Sequence, residues 1–482
     1  VIKITKINRN LSRLLFIGLD LLIVLLGLLI LYILGTGGNE YQWNNKLIRY
    51  YSSRNLQWLL FFLVAIRFFF REAFPFLGIG RWTLRTLPGK AFNLCKRVYR
   101  WAGSLNPSQA QRLLLVILLL SALIKILNAW HYNGFFSGDD VEIHEMSFSR
   151  LLGWKDWQAW ELRNSFYPLV FIYPIQFFFH YLGVHDPGLL VFAGRLLVVF
   201  FSALNIYLVY RISAAAFKCT AAGLAAAFFL AFSQLHIQFS SSVLPRTISS
   251  TFILLCLCLL IAKPRRVFWV SCAGIFLGIS VVIRFSEGIF IVPCLVYLAG
   301  EKRFRDALIL SSVSFITFGF LLGVSDFLYW GIPFFSLRNI VRYTLLQKLS
   351  SRGYQSPFYY LTHLHQWTNL FILIPILIGL HPIKHIKSRA RRAIKNFDQT
   401  FLKVWPPAGT PWHMMGWAFI PLLLLSVFPH KEPRYLIPVL PFVAILAGLG
   451  LWEFLQQIVQ SPAGNAGKNQ LKAVFLIFIF LA

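Results

Sequence analysis

Carboxylates are scarce in this chain: 17 Asp and Glu stand against 46 Lys and Arg in 482 residues. Charged residues of both signs make up 13% of the sequence, where soluble domains average roughly 25%. So little charge excludes a soluble globular class. Runs that alternate apolar with polar residues are also missing, which excludes a transmembrane β-barrel. The cysteines, Cys95, Cys219, Cys256, Cys258, Cys272 and Cys294, form no CxxC pair and have no His at zinc-ligand spacing. They fall mostly in apolar runs, where cysteine packs as a small hydrophobe, and no tightly bound metal or cofactor is expected. His363 and His365, two apart, have poor helical spacing for a metal. No nucleic-acid recognition motif accompanies the net charge of +29, so nucleic acid is not an expected partner. Paired repeats of broken helices, the mark of many transporters, are absent too.

What the chain has instead is long apolar runs, and a helix needs about 20 such residues to cross a ~30 Å hydrocarbon layer. The runs predict helices at 14–35, 56–71, 112–130, 166–182, 188–212, 216–235 and 247–262. Further runs fall at 267–283, 286–299, 307–325, 367–381, 413–428, 435–455 and 471–482. The expected fold is an all-α, polytopic transmembrane bundle of about 12–14 helices. Basic residues concentrate in KITKINRNLSR near the start, in 71–112, and in KPRR (263–266), EKRFR (301–305) and KHIKSRARRAIK (384–395). Positive segments stay cytoplasmic, which sends 36–55, 131–165, 326–366 and 429–434 outward. Between 166 and 235 the arithmetic fails: three apolar runs join flanks that both want the outward side, so one run is expected to be broken or re-entrant. The basic stretch after residue 71 separates a two-helix appendage, 1–110, from a core, 111–482. The appendage suits contact with anionic lipid or with other membrane subunits. The chain begins at Val1 and stops inside the apolar run LKAVFLIFIFLA, and no cleavable signal peptide is expected because the first apolar run is long enough to span.

The few acids are not scattered. Asp139, Asp140, Glu142, Glu145, Asp156 and Glu161 all fall within FFSGDDVEIHE and the aromatic stretch after it, SFSRLLGWKDWQAWELRNSFYP. An aromatic, amphipathic segment lies at the membrane interface. A carboxylate held there, partly desolvated, is expected to have a raised pKa and to serve as a general base.

These residues, in order, resemble the GT-C superfamily of polytopic glycosyltransferases, which use lipid-phosphate sugars. Within it they resemble the mannosyltransferase family that includes the GPI-anchor and dolichol-oligosaccharide mannosyltransferases of the endoplasmic reticulum. SGDDVEIHE (137–145) stands where that family has its "HPDE" acidic motif. SSVLPRTISSTF (241–252) is similar to its "RTLSN" segment, VIRFSEG (282–288) to its "RPT" segment, and DFLYWGIPFFSLRNIVRY (326–343) to its "D…YYG…NFLKYN" loop. FPHKEPRYLIPVLP (428–441) resembles the "HKE-R-F" signature and is the most specific of the five. The chain departs from the pattern at Ser137 and Gly138, in place of His and Pro, and at Ser249 or Ser250, in place of Asn.

The resemblance implies a GT-C fold and transfer of a sugar, mannose by inheritance, from a polyprenyl-phosphate donor to a glycan or lipid-linked acceptor by single inverting displacement. Asp139 is then the base for the acceptor hydroxyl, with Asp140 in its place if the register is shifted by one. His430, Lys431 and Arg434 supply cations to the departing phosphate, with Arg246 and Arg284 as additions. A guanidinium fork suits that task because it grips two oxygens at once. Glu142, Asp326 and Glu432 are expected to contact substrate, Glu432 also orienting the cations, while Arg284 and Glu287 are spaced for a local ion pair. The expected location is a bacterial inner membrane with the active face periplasmic. The rival reading is a catalytically inactive GT-C-like subunit of a larger membrane complex.

Overall fold

A computed structural model describes residues 93–131, 134–135, 137–154, 157–262, 266–347, 355–363, 411–428 and 430–460, preceded by short pieces that include 18–23, 39–43 and 46–50. The expected helices at 367–381 and 471–482, nearly all of 56–71, the basic segment 384–395, Asp156 and His365 lie outside the described residues. The chain divides into two compact units, residues 1–98 with 458–482, and residues 99–457. In the first, residues 18–23 are helical. Strands β1 (Asn39–Trp43) and β2 (Lys46–Tyr50) form an antiparallel hairpin, with Asn39 opposite Tyr50 and Trp43 opposite Lys46.

The second unit is a helical bundle. Its first long helix, α1 (Pro107–His131), starts where the sequence dictates. Asn106 Oδ1 accepts from Gln109 N at 2.8 Å, and Gln109 Oε1 accepts from Asn106 N at 3.1 Å. This reciprocal cap satisfies two otherwise orphaned donors, and Pro107 occupies the first helical position, where its missing N–H costs nothing. Then come α2 (Gly138–Leu152), a short π-helical turn (Pro168–Ile172) running into α3 (Tyr173–Tyr181), α4 (Pro187–Phe217), α5 (Thr220–Ala231), α6 (Gln234–Phe239) and α7 (Arg246–Ala262). They are followed by α8 (Val267–Ile283), a 3-10 turn (Phe285–Phe290), α9 (Ile291–Gly300), α10 (Phe304–Trp330) and α11 (Phe335–Val341), which continues into a π-helical turn (Arg342–Leu346). The last are α12 (Tyr359–Thr362), α13 (Pro411–Val427), a 3-10 turn (Pro433–Leu436) and α14 (Leu440–Gln460). Among the described residues, α1, α4 and α10 are each long and apolar enough to cross a membrane.

Contacts between helix ends resolve the parity problem. Arg195, early in α4, donates to Ala129 O (3.1 Å) and Gly134 O (2.5 Å), at the close of α1. Ser165 Oγ donates to Ser325 O at 3.1 Å, near the close of α10, and Gln176 Nε2 donates to Leu190 O at 3.1 Å, near the start of α4. The run expected to span at 166–182 therefore enters and leaves at one end of the bundle. It is the re-entrant member, cut short by the turn at Gly183, whose φ of 91° suits glycine. Arg303 Nη1 donates to Leu260 O at 3.4 Å, which puts the close of α7 and the start of α10 together at the other end, with the basic EKRFR sequence.

Glycines set a close crossing between α8 and α10. A Cβ on Gly278 would lie 2.7 Å from Ser314 O and 2.7 Å from Thr317 Cβ, so α8 and α10 touch backbone to backbone along the pair Gly274 and Gly278. Small residues four apart allow this approach between membrane helices. Lys125 is among the charged residues inside the bundle: 1% exposed in α1, it donates to Ser202 Oγ at 2.6 Å and meets His236 Nδ1 at 3.1 Å. It faces helices and not lipid, as an intramembrane cation must.

Candidate active site

The acidic stretch expected as a loop is a helix, α2, capped at its far end by Gly153 in the left-handed region (φ 68°), as glycine allows. Asp139 and Asp140 occupy its first turn, where the helix dipole favours negative charge. Neighbours on a helix diverge by about 100°, so the two acids face different surroundings. Asp139 faces a cavity. Asp140 is fully buried, and its Oδ1 accepts from Val243 N at 3.0 Å. The stand-in role expected of Asp140 does not fit this position, since it anchors the turn that leads into Arg246.

Each oxygen of Asp139 holds a guanidinium. Oδ1 lies 2.5 Å from Arg163 Nη2 and Oδ2 lies 3.0 Å from Arg434 Nη1. The fork of Arg163 also engages Glu142 through Nε. Glu142 in turn accepts from Trp160 N at 2.5 Å, and Arg163 N donates to Trp160 O at 2.8 Å. Glu142 therefore clasps both ends of the turn 160–163 and pins it to α2. Expected as a substrate contact, it does not line the cavity.

The cationic turn arrives from the far end of the sequence. Arg434 Nη1 also donates to Ser137 Oγ at 3.2 Å, and its Nε meets Glu432. Glu432 Oε1 lies 3.3 Å from His430 Nε2, so this acid bridges the His and the Arg. Lys431, expected among the phosphate cations, turns away and is 3% exposed. It donates to Gln355 O at 3.0 Å and to Phe428 O, tying the segment before α12 to the close of α13.

Arg246 and Arg284 complete the cluster. Arg246 stacks over Tyr435, 4.1 Å from the ring centroid, and its Nη1 lies 3.5 Å from Glu287 Oε1. The ion pair expected between Arg284 and Glu287 is replaced by this longer-range one, because the chain is extended at Arg284 (φ −152°, ψ 116°) and not helical. Arg284 is half-buried on the cavity wall. Asp326 does not reach the cavity. It is fully buried, and its Oδ2 accepts from Ser336 N (2.9 Å) and Ser336 Oγ (2.7 Å), clamping α11 to the end of α10.

The cavity has a volume of about 480 Å³. Four arginines line it, Arg163, Arg246, Arg284 and Arg434, against two carboxylates, Asp139 and Glu432, with His430 at the same wall. The rest is apolar and aromatic: Ile143, Met146 and Tyr167 on one side, Leu337, Ile340 and Val341 of α11 on another, and Leu425 and Phe428 at the end of α13. Excess cation beside a greasy wall fits an anionic head on an apolar chain. The electrostatics of Asp139 reverse the expected sign. Burial pushes its carboxyl up, but Arg163 and Arg434, with Arg284 adding to them, outweigh burial and bring its pKa down to about 2.

A model of the Alg9-like mannosyltransferase family matches residues 112–482. The Arabidopsis thaliana alpha-1,2-mannosyltransferase ALG9 is 30% identical over 215 residues, a match covering 43% of this chain and 33% of that protein. Among solved structures, the apo oligosaccharyltransferase of Archaeoglobus fulgidus aligns with a TM-score of 0.51 and 13% identity, over 78% of this chain and 55% of that one. ArnT from Cupriavidus metallidurans, bound to undecaprenyl phosphate, aligns with a TM-score of 0.45 and 17% identity, over 74% of this chain and 62% of that one.

Proposed function

The chain belongs to the Alg9-like mannosyltransferase family, and from that premise and the cavity we propose a membrane glycosyltransferase that moves mannose from a polyprenyl-phosphate donor to a glycan or lipid-linked acceptor. The observation that carries this reading is the meeting of Asp139 and Arg434 in one cavity whose walls combine arginine with apolar side chains. The donor's phosphate sits among Arg434, Arg246 and Arg284, and its lipid lies along α11 and the end of α13. Asp139 draws the proton from the acceptor hydroxyl. The hydroxyl oxygen attacks the anomeric carbon from the face opposite the phosphate, the bond from that carbon to the phosphate oxygen breaks, and the configuration inverts. Charge builds on the leaving phosphate, and prearranged cations stabilise it most where water is excluded.

The site lies at the end of the bundle away from EKRFR, which supports a non-cytoplasmic active face. The Arabidopsis relative draws the location toward a eukaryotic membrane and away from the bacterial inner membrane expected from the sequence. A second reading, an inactive subunit, draws on the occupation of both Asp139 oxygens by guanidinium groups. The two separate by assay. Full-length protein in nanodiscs is expected to form a glycosidic bond from a polyprenyl-phosphate mannose, and Asp139→Asn to abolish that transfer while the protein stays monodisperse. Turnover in the variant near that of the parent would remove Asp139 from the mechanism. Absence of transfer in the parent, with stoichiometric copurification of other subunits, would favour the inactive reading.

A further inference from the structure

As it stands, the base of this mechanism is occupied. A carboxylate with a guanidinium on each oxygen has part of its acceptor capacity taken and two positive charges against it, so its affinity for protons is low. The two guanidinium groups are held differently. Arg163 is fixed on the other side of its fork by Glu142, which also grips the backbone of Trp160, so it moves only if that whole turn moves. Arg434 is attached to a short 3-10 turn, and its resting position is defined by Asp139 Oδ2 at 3.0 Å, Ser137 Oγ at 3.2 Å and its near neighbour Glu432. It lines the same cavity as Arg246 and Arg284, the other two cations assigned to the phosphate.

Resting on the glycosyl-transfer reading above, we propose that Asp139 is switched on by donor binding: the phosphate takes Arg434 from Asp139 Oδ2, and the freed oxygen becomes the base while Arg163 keeps Oδ1 in place. The carboxylate and the phosphate then compete for one guanidinium. The donor's phosphate, a diester, matches the carboxylate in charge and in free oxygens, but it gains Arg246 and Arg284 at the same time, so the exchange runs toward the phosphate once the donor is seated. Withdrawing Arg434 also removes one of the two main charges that hold the Asp139 proton affinity down. The base therefore gains strength when there is a sugar to transfer, and binding is ordered with the donor first. Ser137 belongs to this device as a resting post for Arg434. It stands where the resembled family carries His, which marks the device as a property of this chain.

Competition has a signature that a plain base lacks. Removing the competitor must tighten the binding of the phosphate. The experiment measures the Kd of sugar-free polyprenyl phosphate for the full chain in nanodiscs, by quenching of tryptophan fluorescence, alongside transfer. Asp139→Asn is expected to bind the lipid phosphate about tenfold more tightly, the scale of one close charge pair, while transfer is lost. Ser137→Ala is expected to bind about two- to threefold more tightly, the low end of what one hydrogen bond contributes. An unchanged or weaker Kd in Asp139→Asn would overturn the exchange, since Asp139 would then be supporting the phosphate site and not competing with it. If Asp139→Asn does not fold, an unchanged Kd in Ser137→Ala overturns it instead. Full transfer by Asp139→Asn together with a tightened Kd would sink the base assignment and leave the competition standing, so the two readings fail separately.

Discussion

Arg434 Nη1 lies 3.0 Å from Asp139 Oδ2, a direct ion pair between the start of α2 and the turn before α14. No local interaction brings these two residues together. The pair forms because α1 delivers the start of α2, and α13 delivers HKEPR, to the same end of the bundle. The cation and the acid then line one cavity together with Ile143 and Tyr167, members of a buried apolar cluster.

The pairing fixes how activity responds to acid. The carboxyl of Asp139 falls from about 3.9 in an unfolded chain to about 2 in the folded one. A lowered carboxyl pKa stabilises the fold fully above the unfolded value, and that contribution is lost as the pH drops through about 4 toward 2. Arg163→Gln removes the larger of the two opposing charges, so the folded pKa rises toward the ordinary value. The acid limb of kcat/KM, which reports the free enzyme's base, is expected to move to higher pH in this variant, and Arg163→Lys to restore some of the shift. An acid limb that stays put in Arg163→Gln would show that Arg163 serves only to hold the turn.

Legibility follows charge and fails at geometry. HKEPR and the acid pair stand out because charge is rare in a chain of apolar runs, and their meeting is the central expectation. Asp139 and Asp140 are not separable in sequence because facing depends on the phase of a helix, and the acidic stretch reads as a loop. Arg163 escapes the sequence reading altogether: one arginine in an aromatic stretch, WELRNSF, carries no local sign that its partners lie on α2. A carboxylate is spaced three residues after Asp139, however, and an acid pair on one helix face is a signal that some cation has to reach both. Lys431 falls to the phosphate by its neighbours in sequence, and only the path of the turn shows it bonding to backbone carbonyls.

Glu142→Gln tests the clasp. The acid accepts from Trp160 N at 2.5 Å and pairs with the part-buried Arg163 Nε, and hydrogen bonds to a charged group are worth about 1.5–3 kcal/mol. A fall in thermal stability is expected, with faster amide exchange confined to residues 157–164. Exchange that rises equally across the bundle would mean that Glu142 supports the fold at large and not this turn.

Lys431 is expected to behave as a structural tie. Lys431→Met removes its bonds to Gln355 O and Phe428 O but takes no cation from the cavity wall. Proteolysis near residue 355 should speed up, while the Kd for polyprenyl phosphate changes less than about twofold. A tenfold loss of phosphate affinity with unchanged proteolysis would return Lys431 to the phosphate site.

The spacing between α8 and α10, which carry Arg284 and Asp326 at their site ends, rests on glycine. Gly278 meets Ser314 O and Thr317 Cβ at 2.7 Å from where a Cβ would stand, while nothing lies within 4 Å of the same point on Gly319. Both are helical glycines, so both gain backbone rigidity from a side chain, by about 0.5–1 kcal/mol. Only one has room for it. Gly319→Ala is therefore expected to leave the melting temperature unchanged or raise it slightly. Gly278→Val must force apart a pair of helices in backbone contact, an overpacking penalty of about 1–3 kcal/mol, and is expected to lower it. Because a widened crossing also moves Arg284 relative to Asp139, the Gly278 variant should lose transfer more steeply than its stability loss alone predicts. Equal melting temperatures for the two variants would show that α8 and α10 do not meet through these glycines.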